Sequence, residues 1–465
     1  MDLNHSNYKE YQFPKDFVWG VAAGSYQIEG GWLEGNKDES IWDRFVHTPG
    51  HIKDGTTGDV ACDFYHRYRE DIDMMANLGI KNFIYTISWP RVIKDGIGEI
   101  NPEGIKFYRD VLTCLREHGI KSWMVLYHWD LPQCLQDKGG WQNREIVNWF
   151  EYYAKTMYRE LGDLVDNWIP ILEPYAISFC AYWLQMFPPA IKDYSALLQV
   201  NHHINLAHGV AVRAFRKSGL PGKVGIKMSM NMAYPLDPNN PKDVYAAHLR
   251  NMEEHQMFCD PIMKGEYPEE LFEYLQKQGI KLPDIQPGDM ELMSPELDFL
   301  GINNYYGEYV TYDESRWPLP YRLVKTGKQK TPKNWEFCPD AFYDIIKWAN
   351  DSYHPNEIII TENGCASNDW VDDEGKCEDP NRVCYLKNYL KRVAKAIDDG
   401  IPVTGYFVWS FWDNFEWADG LTVRFGLVHV NYKTLKRTPK SSAYWFSDVV
   451  RNNGFTALKI EAEQS

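Results

Sequence analysis

Short apolar runs recur along this chain, each followed by enough sequence for a helix before the next. They lie at Phe17–Gly24, Lys81–Trp89, Lys121–His128, Asn167–Leu172, Lys223–Ser229, Asp298–Asn304, Glu357–Thr361 and Val403–Trp409. Their length and apolar content predict buried strands. Several open just after a helix-ending glycine, as in Leu78-Gly79-Ile80-Lys81 and His118-Gly119-Ile120-Lys121. Between them the apolar spacing turns helical, for example over Tyr65–Leu78 and Tyr108–His118. Eight such strands alternating with helices, with no linker, low-complexity tract or solenoid repeat, predict a (β/α)8 barrel. A single barrel domain over residues 1–465, with extended βα loops, is expected. The competing doubly wound sheet needs a glycine-rich phosphate turn after its first strand. Gly20-Val21-Ala22-Ala23-Gly24 does not have that form.

In such a barrel the working groups come from the C-terminal strand ends. The unusual polar and aromatic residues cluster there: Gln27, His128, Trp129, Glu173, Asn303, Tyr305, Glu362 and Trp409. Glu362 directly follows the run Ile358–Thr361, and Glu173 ends Asn167-Trp168-Ile169-Pro170-Ile171-Leu172. A carboxylate at the mouth of a buried strand is costly without a partner or a task. Either glutamate alone reads as a strand-terminal charge meeting water; the pair, among aromatics, reads as acid/base and nucleophilic chemistry on one site. A retaining glycosidase needs such carboxyls about 5–5.5 Å apart. Gln27, His128, Asn303 and Glu416 offer planar donors and acceptors for sugar hydroxyls, and Trp409 and Trp417 a floor for the ring. Phe411, Trp412 and Phe415 read as packing.

Composition narrows the partners. A formal net charge of −16 disfavours nucleic acid and anionic membranes. No apolar stretch is long enough to span a bilayer, and the start Met1-Asp2-Leu3-Asn4-His5-Ser6 lacks a signal-peptide apolar region. A cytoplasmic location is expected, or a secreted one if a signal has been removed; the sequon Asn4-His5-Ser6 matters only in the second case. Nine scattered cysteines without a Cys-x-x-Cys pair favour free thiols, with Cys365, Cys377 and Cys384 the exception to watch. No metal site is expected: His202, His203 and His208 share a helix, but 202 and 208 do not share a face. A Gly-x-Ser-x-Gly elbow is absent. The 18 Trp and 30 Tyr suit either a core or sugar stacking. Oligomeric state is open, a homodimer included.

Several motifs together resemble the β-glucosidase and myrosinase group of family 1 glycoside hydrolases. They are Ser25-Tyr26-Gln27-Ile28-Glu29-Gly30, Gly58-Asp59-Val60-Ala61-Cys62-Asp63, Tyr127-His128-Trp129-Asp130-Leu131-Pro132-Gln133, Ile360-Thr361-Glu362-Asn363-Gly364 and Asp413-Asn414-Phe415-Glu416-Trp417. The likeness runs from Phe13-Pro14-Lys15-Asp16-Phe17 to Ser442-Ala443-Tyr444-Trp445-Phe446. It implies Glu362 as nucleophile, Glu173 as acid/base, and Tyr305 as the tyrosine bonded to the nucleophile. It implies Gln27, His128, Trp409, Glu416 and Trp417 as glycone contacts, no cofactor, and β-linked glucosides or related sugars as substrates.

Two positions depart from that pattern. The family's Asn before the acid/base, which holds the sugar 2-hydroxyl, is here Leu172. Its strand-two Arg, which supports the ionised nucleophile, is here Ile84 in Ile84-Tyr85-Thr86-Ile87-Ser88-Trp89. Losing a charge and gaining apolar surface should make an ionised Glu362 costlier. The 2-hydroxyl contact is worth several kcal/mol, so its loss alone implies on the order of a hundredfold in rate. Three functions fit: a β-glycosidase of reduced or shifted activity, a descendant running acid-assisted chemistry on an apolar small molecule, and a non-catalytic carbohydrate binder. The aglycone pocket is expected from loops 180–195, 231–260, 311–340 and 365–380.

Overall fold

The computed structural model describes residues 8–458; the Asn4-His5-Ser6 sequon lies outside them. Eight parallel strands close into a barrel: β1 (Val18–Ala23), β2 (Asn82–Thr86), β3 (Lys121–Tyr127), β4 (Asn167–Ile171), β5 (Lys223–Ser229), β6 (Phe299–Asn303), β7 (Ile358–Asn363) and β8 (Val403–Trp409). Neighbours in sequence are neighbours in the barrel, and β8 closes on β1 through Gly405↔Val18 to Trp409↔Ala22. The predicted single (β/α)8 barrel is therefore the fold.

Side-chain alternation sorts the strands into two faces. On β2, Phe83 and Tyr85 turn outward onto Phe64 and Trp412, so Ile84 between them points into the barrel. Inside, Trp123 of β3 meets Phe299 of β6 and Phe407 of β8 at 5.5 and 5.4 Å. Glycines make room for this plug. A Cβ on Gly20 would come within 2.3 Å of the Phe407 ring, and one on Gly225 within 2.6 Å of Phe299. The barrel is thus filled below its mouth, and what chemistry it holds is confined to the open end.

Local signals set the helices. Asp193 caps Tyr194–Ser218 by accepting from the amides of Ser195 and Ala196, and Gly219, at φ +69°, ends it. Two predicted boundaries move. The Lys81–Trp89 strand stops at Thr86 because Pro90, with no amide to donate, begins the helical turn Trp89–Val92. The helix expected from Tyr108 begins at Pro102, whose fixed φ suits a first turn. Loop segments Ala233–Pro235, Glu308–Tyr312 and Tyr321–Val324 pair into a small sheet that the strand pattern did not reveal. Near the start of β1, Tyr8–Gln12 pairs antiparallel with Gly454–Leu458. All nine thiols are free, Cys365, Cys377 and Cys384 included. Among the described residues no helix is long and apolar enough to cross a membrane.

Candidate active site

Both glutamates open onto one cavity of about 460 Å³ at the C-terminal mouth of the barrel, which His128, Trp129, Leu172, Tyr305, Trp409, Glu416 and Trp417 also line. Glu362 sits within β7, and Glu173 two residues past the end of β4. Asn303, the last residue of β6, links the two acids. It is the register partner of Glu362, its Nδ2 donates to Glu173 at 2.7 Å, and its Oδ1 accepts from Thr361 at 2.7 Å. Asn303, expected to face the sugar, has both polar atoms bonded within the protein, one of them to Glu173.

The two carboxyls have opposite surroundings. Burial, reinforced by the nearby Glu362, pushes Glu173 up to about 8, against the opposing pulls of Asn303 and Lys227. It is therefore a carboxylic acid at neutral pH. Glu362 is met on one oxygen by the Tyr305 hydroxyl and on the other by the Lys227 ammonium, at 2.5 Å. That contact is Coulombic: neither Lys227 Nζ nor Glu362 Oε1 has an aligned hydrogen-bond partner in the protein, and attraction between charges needs proximity rather than alignment. Lys227 is fully buried on β5, and its Nζ also lies 6.0 Å from the Trp409 ring centre.

A nucleophile stripped of cationic support was expected from Ile84. β2 supplies no charge there, and a positive charge reaches Glu362 from β5 instead, through Lys227. Lys227 interrupts the run Val224-Gly225-Ile226-Lys227-Met228, and a lone charge inside a barrel strand was the signal available.

Gln27 does not line the cavity but lies directly behind two residues that do, Glu416 and His128. Gln27 donates to Asn414 at 3.2 Å and Glu416 at 3.4 Å. Its Oε1, and Nδ1 of His128, are buried without a partner in the protein. Burial and then Lys227 push His128 well below the usual histidine range, so its ring is neutral. A Cβ on Gly24 would lie 2.6 Å from each of these atoms, so only glycine admits the pair. Trp417 packs against Trp129 at 4.6 Å and His128 at 5.1 Å, giving an aromatic wall beside Trp409. Glu416 is raised by burial and opposed by Lys333, whose Nζ lies 3.3 Å from it and 2.5 Å from Asp419. Lys333 was not foreseen; it comes from an irregular loop, where no periodicity marks which side chains turn inward.

Trp129, Glu173 and Trp417 all have left-handed backbones, at φ +73°, +50° and +52°. Such conformations cost of order 1–3 kcal/mol each and concentrate where geometry serves a task. Of the loops expected around the aglycone, 180–195, 231–260 and 311–340 reach the cavity through Leu184, Asn231 and Trp335, while 365–380 does not line it. His202 and His203 are structural, bonded to Asp289 and to the Trp141 carbonyl. Among the described residues no group of three or more His, Cys, Asp or Glu is placed to hold a metal ion.

A barrel with two acids of opposed surroundings at its mouth is the framework of a glycoside hydrolase. The profile of glycosyl hydrolase family 1 matches residues 9–455, and the chain belongs to that family. It is 43% identical over 445 residues to β-glucosidase A of Acetivibrio thermocellus, covering 95% of this chain and 99% of that one. It is 39% identical to β-glucosidase 42 of Arabidopsis thaliana, over 95% of this chain and 94% of the other. Among solved structures, the family 1 β-glucosidase of Thermotoga maritima superimposes with a TM-score of 0.93 at 40% identity, covering 96% and 99% of the two chains. The same enzyme is also known in complex with glucoimidazole.

Proposed function

We propose that this protein is a retaining β-glycosidase acting on β-glucosides or related β-glycosides, with activity reduced or shifted by Leu172 and Ile84. The observation that carries this reading is the opposed state of the two acids: Glu173 protonated by burial, Glu362 paired with a cation and a phenol. Titratable pairs whose environments differ in this way divide the roles of acid and base between them.

In the first step a Glu362 oxygen attacks the anomeric carbon. The bond from that carbon to the aglycone oxygen breaks as Glu173 passes its proton to the departing oxygen. In the second step water attacks the same carbon, its proton goes to Glu173, and Glu362 leaves as carboxylate. Each acid returns to its starting state, and the anomeric configuration is retained. Gln27, His128 and Glu416 take the ring hydroxyls, and Trp409 and Trp417 its apolar face. Support comes from Gln27 Oε1 and His128 Nδ1, buried polar atoms without internal partners. The curated relatives' names favour glucosides. Leu172, an aliphatic wall beside Glu173, favours sugars or analogues that ask little of that position.

Aryl β-glucosides, β-galactosides and β-fucosides are the assay. Turnover with a β-configured first product by NMR is expected, and Glu362→Gln should lower it by at least ~10³-fold. Turnover no faster than in Glu362→Gln would reject the reading.

A further inference from the structure

We propose that Lys227 is the positioning residue that supports the Glu362 carboxylate as nucleophile, a role the strand-two position cannot fill because it is Ile84. The proposal rests on the function above, but its central contact does not.

Lys227 and Glu362 belong to strands that are not neighbours, since β6 lies between β5 and β7. Their side chains reach each other past β6, where Gly301 is the register partner of Lys227 and has room for no side chain. A Cβ there would come within 2.6 Å of the Ile226 carbonyl and 3.0 Å of the Thr361 hydroxyl. The main chain is tied to the same point: Glu173 donates its amide to the Lys227 carbonyl at 2.7 Å, and Leu172 bridges Lys227 in register. A buried lysine without an anion is very costly, and so is a buried carboxylate without a cation.

The charges around the pair fit. Glu362 faces Lys227 from β5, Tyr305 from the loop after β6, Glu173 from the end of β4 and, further off, Glu416 beyond β8. Lys227 also acts on Glu173 and on His128 from the end of β3. Tyr305 remains a phenol, held there by burial and the neighbouring glutamates. His128 is neutral, and the Glu416 charge is answered by Lys333. That leaves one ammonium for two facing acids. Glu362 takes that ammonium directly, while burial holds Glu173 protonated, and the first chemical step needs an acid at Glu173. With Leu172 and Ile84 both aliphatic, Lys227 is the cation that touches the nucleophile.

Three variants test this. In Lys227→Met the acid limb of the kcat/KM profile should move to higher pH by about one to three units, and kcat/KM at neutral pH should fall by ~10²-fold or more. Lys227→Arg should recover most of both. A melting-temperature cycle over Lys227→Met, Glu362→Gln and the double variant reads the pair without any substrate. The double variant should melt above Lys227→Met, because removing the stranded carboxylate removes the penalty. An unmoved acid limb, or strictly additive melting shifts, would overturn the assignment. If no β-glycoside is turned over, the cycle still decides, so failure of the proposed function and failure of this role are distinguishable.

Discussion

At the scale of single residues, Glu173 gives the sharpest pH signature. An acid raised to about 8 by burial must be protonated to assist departure, so kcat/KM should fall as pH rises through that value. Glu173→Gln should abolish this basic limb. The variant should keep more rate on aryl glycosides with acidic phenols than on alkyl glycosides, because a good leaving group needs little proton assistance. A basic limb surviving in Glu173→Gln, measured with both substrate types, would assign the proton elsewhere. Both glutamates were legible in the sequence because each ends an apolar strand. Lys227 carried only the signal of a charge within an apolar strand and Lys333 none, since their value depends on partners more than a hundred and on the order of eighty positions away, Glu362 and Glu416.

At the scale of elements, the segment Pro241–Met263 carries a charge cluster next to the cavity. Arg250 is buried against Glu253, Glu254 and Glu308. Burial is the main cause that raises Glu254 to about 8, with Arg250 opposing it. The folded protein therefore binds this proton more tightly than the unfolded chain, whose glutamates titrate near 4.5. Stability from this group is full below that value and is lost as pH rises toward about 8. The melting temperature of Glu254→Gln should fall less across that window than that of the parent; parallel curves for the two proteins would refute it. The strands themselves were read to within a few residues, since length and apolar content suffice for buried parallel strands. The small sheet in the loops escaped because its short strands are half exposed and lack that signature.

At the scale of the whole molecule, one side chain adds to the pairing of the first and last described strands. Asn453 donates from Nδ2 to the Phe13 carbonyl at 2.8 Å, and its Oδ1 accepts from the Trp19 indole at 2.8 Å. Its carbonyl also takes the Phe13 amide at 3.1 Å. Trp19 lies on β1 and Asn453 directly precedes the last strand, so the residue joins the two ends of the fold. Asn453→Ala should cost about 2 kcal/mol, chiefly by orphaning the buried indole. It should leave kcat/KM at low temperature unchanged, because the contact lies far from the mouth. Denaturant unfolding beside initial rates checks both, and unchanged stability would show that the pairing of terminal strands suffices alone. The barrel was readable because alternation of strand and helix is a whole-chain property. Which cations enter its lumen is set by closure, and closure cannot be seen in any one segment.

Asn303 has a further implication for how such a protein changes over time. One amide steadies the proton donor while gripping the residue just ahead of the attacking group, so a shift in β6 moves both reactants together. Adaptation to new aglycones is thereby channelled into the surrounding loops, and drift along that strand is penalised twice.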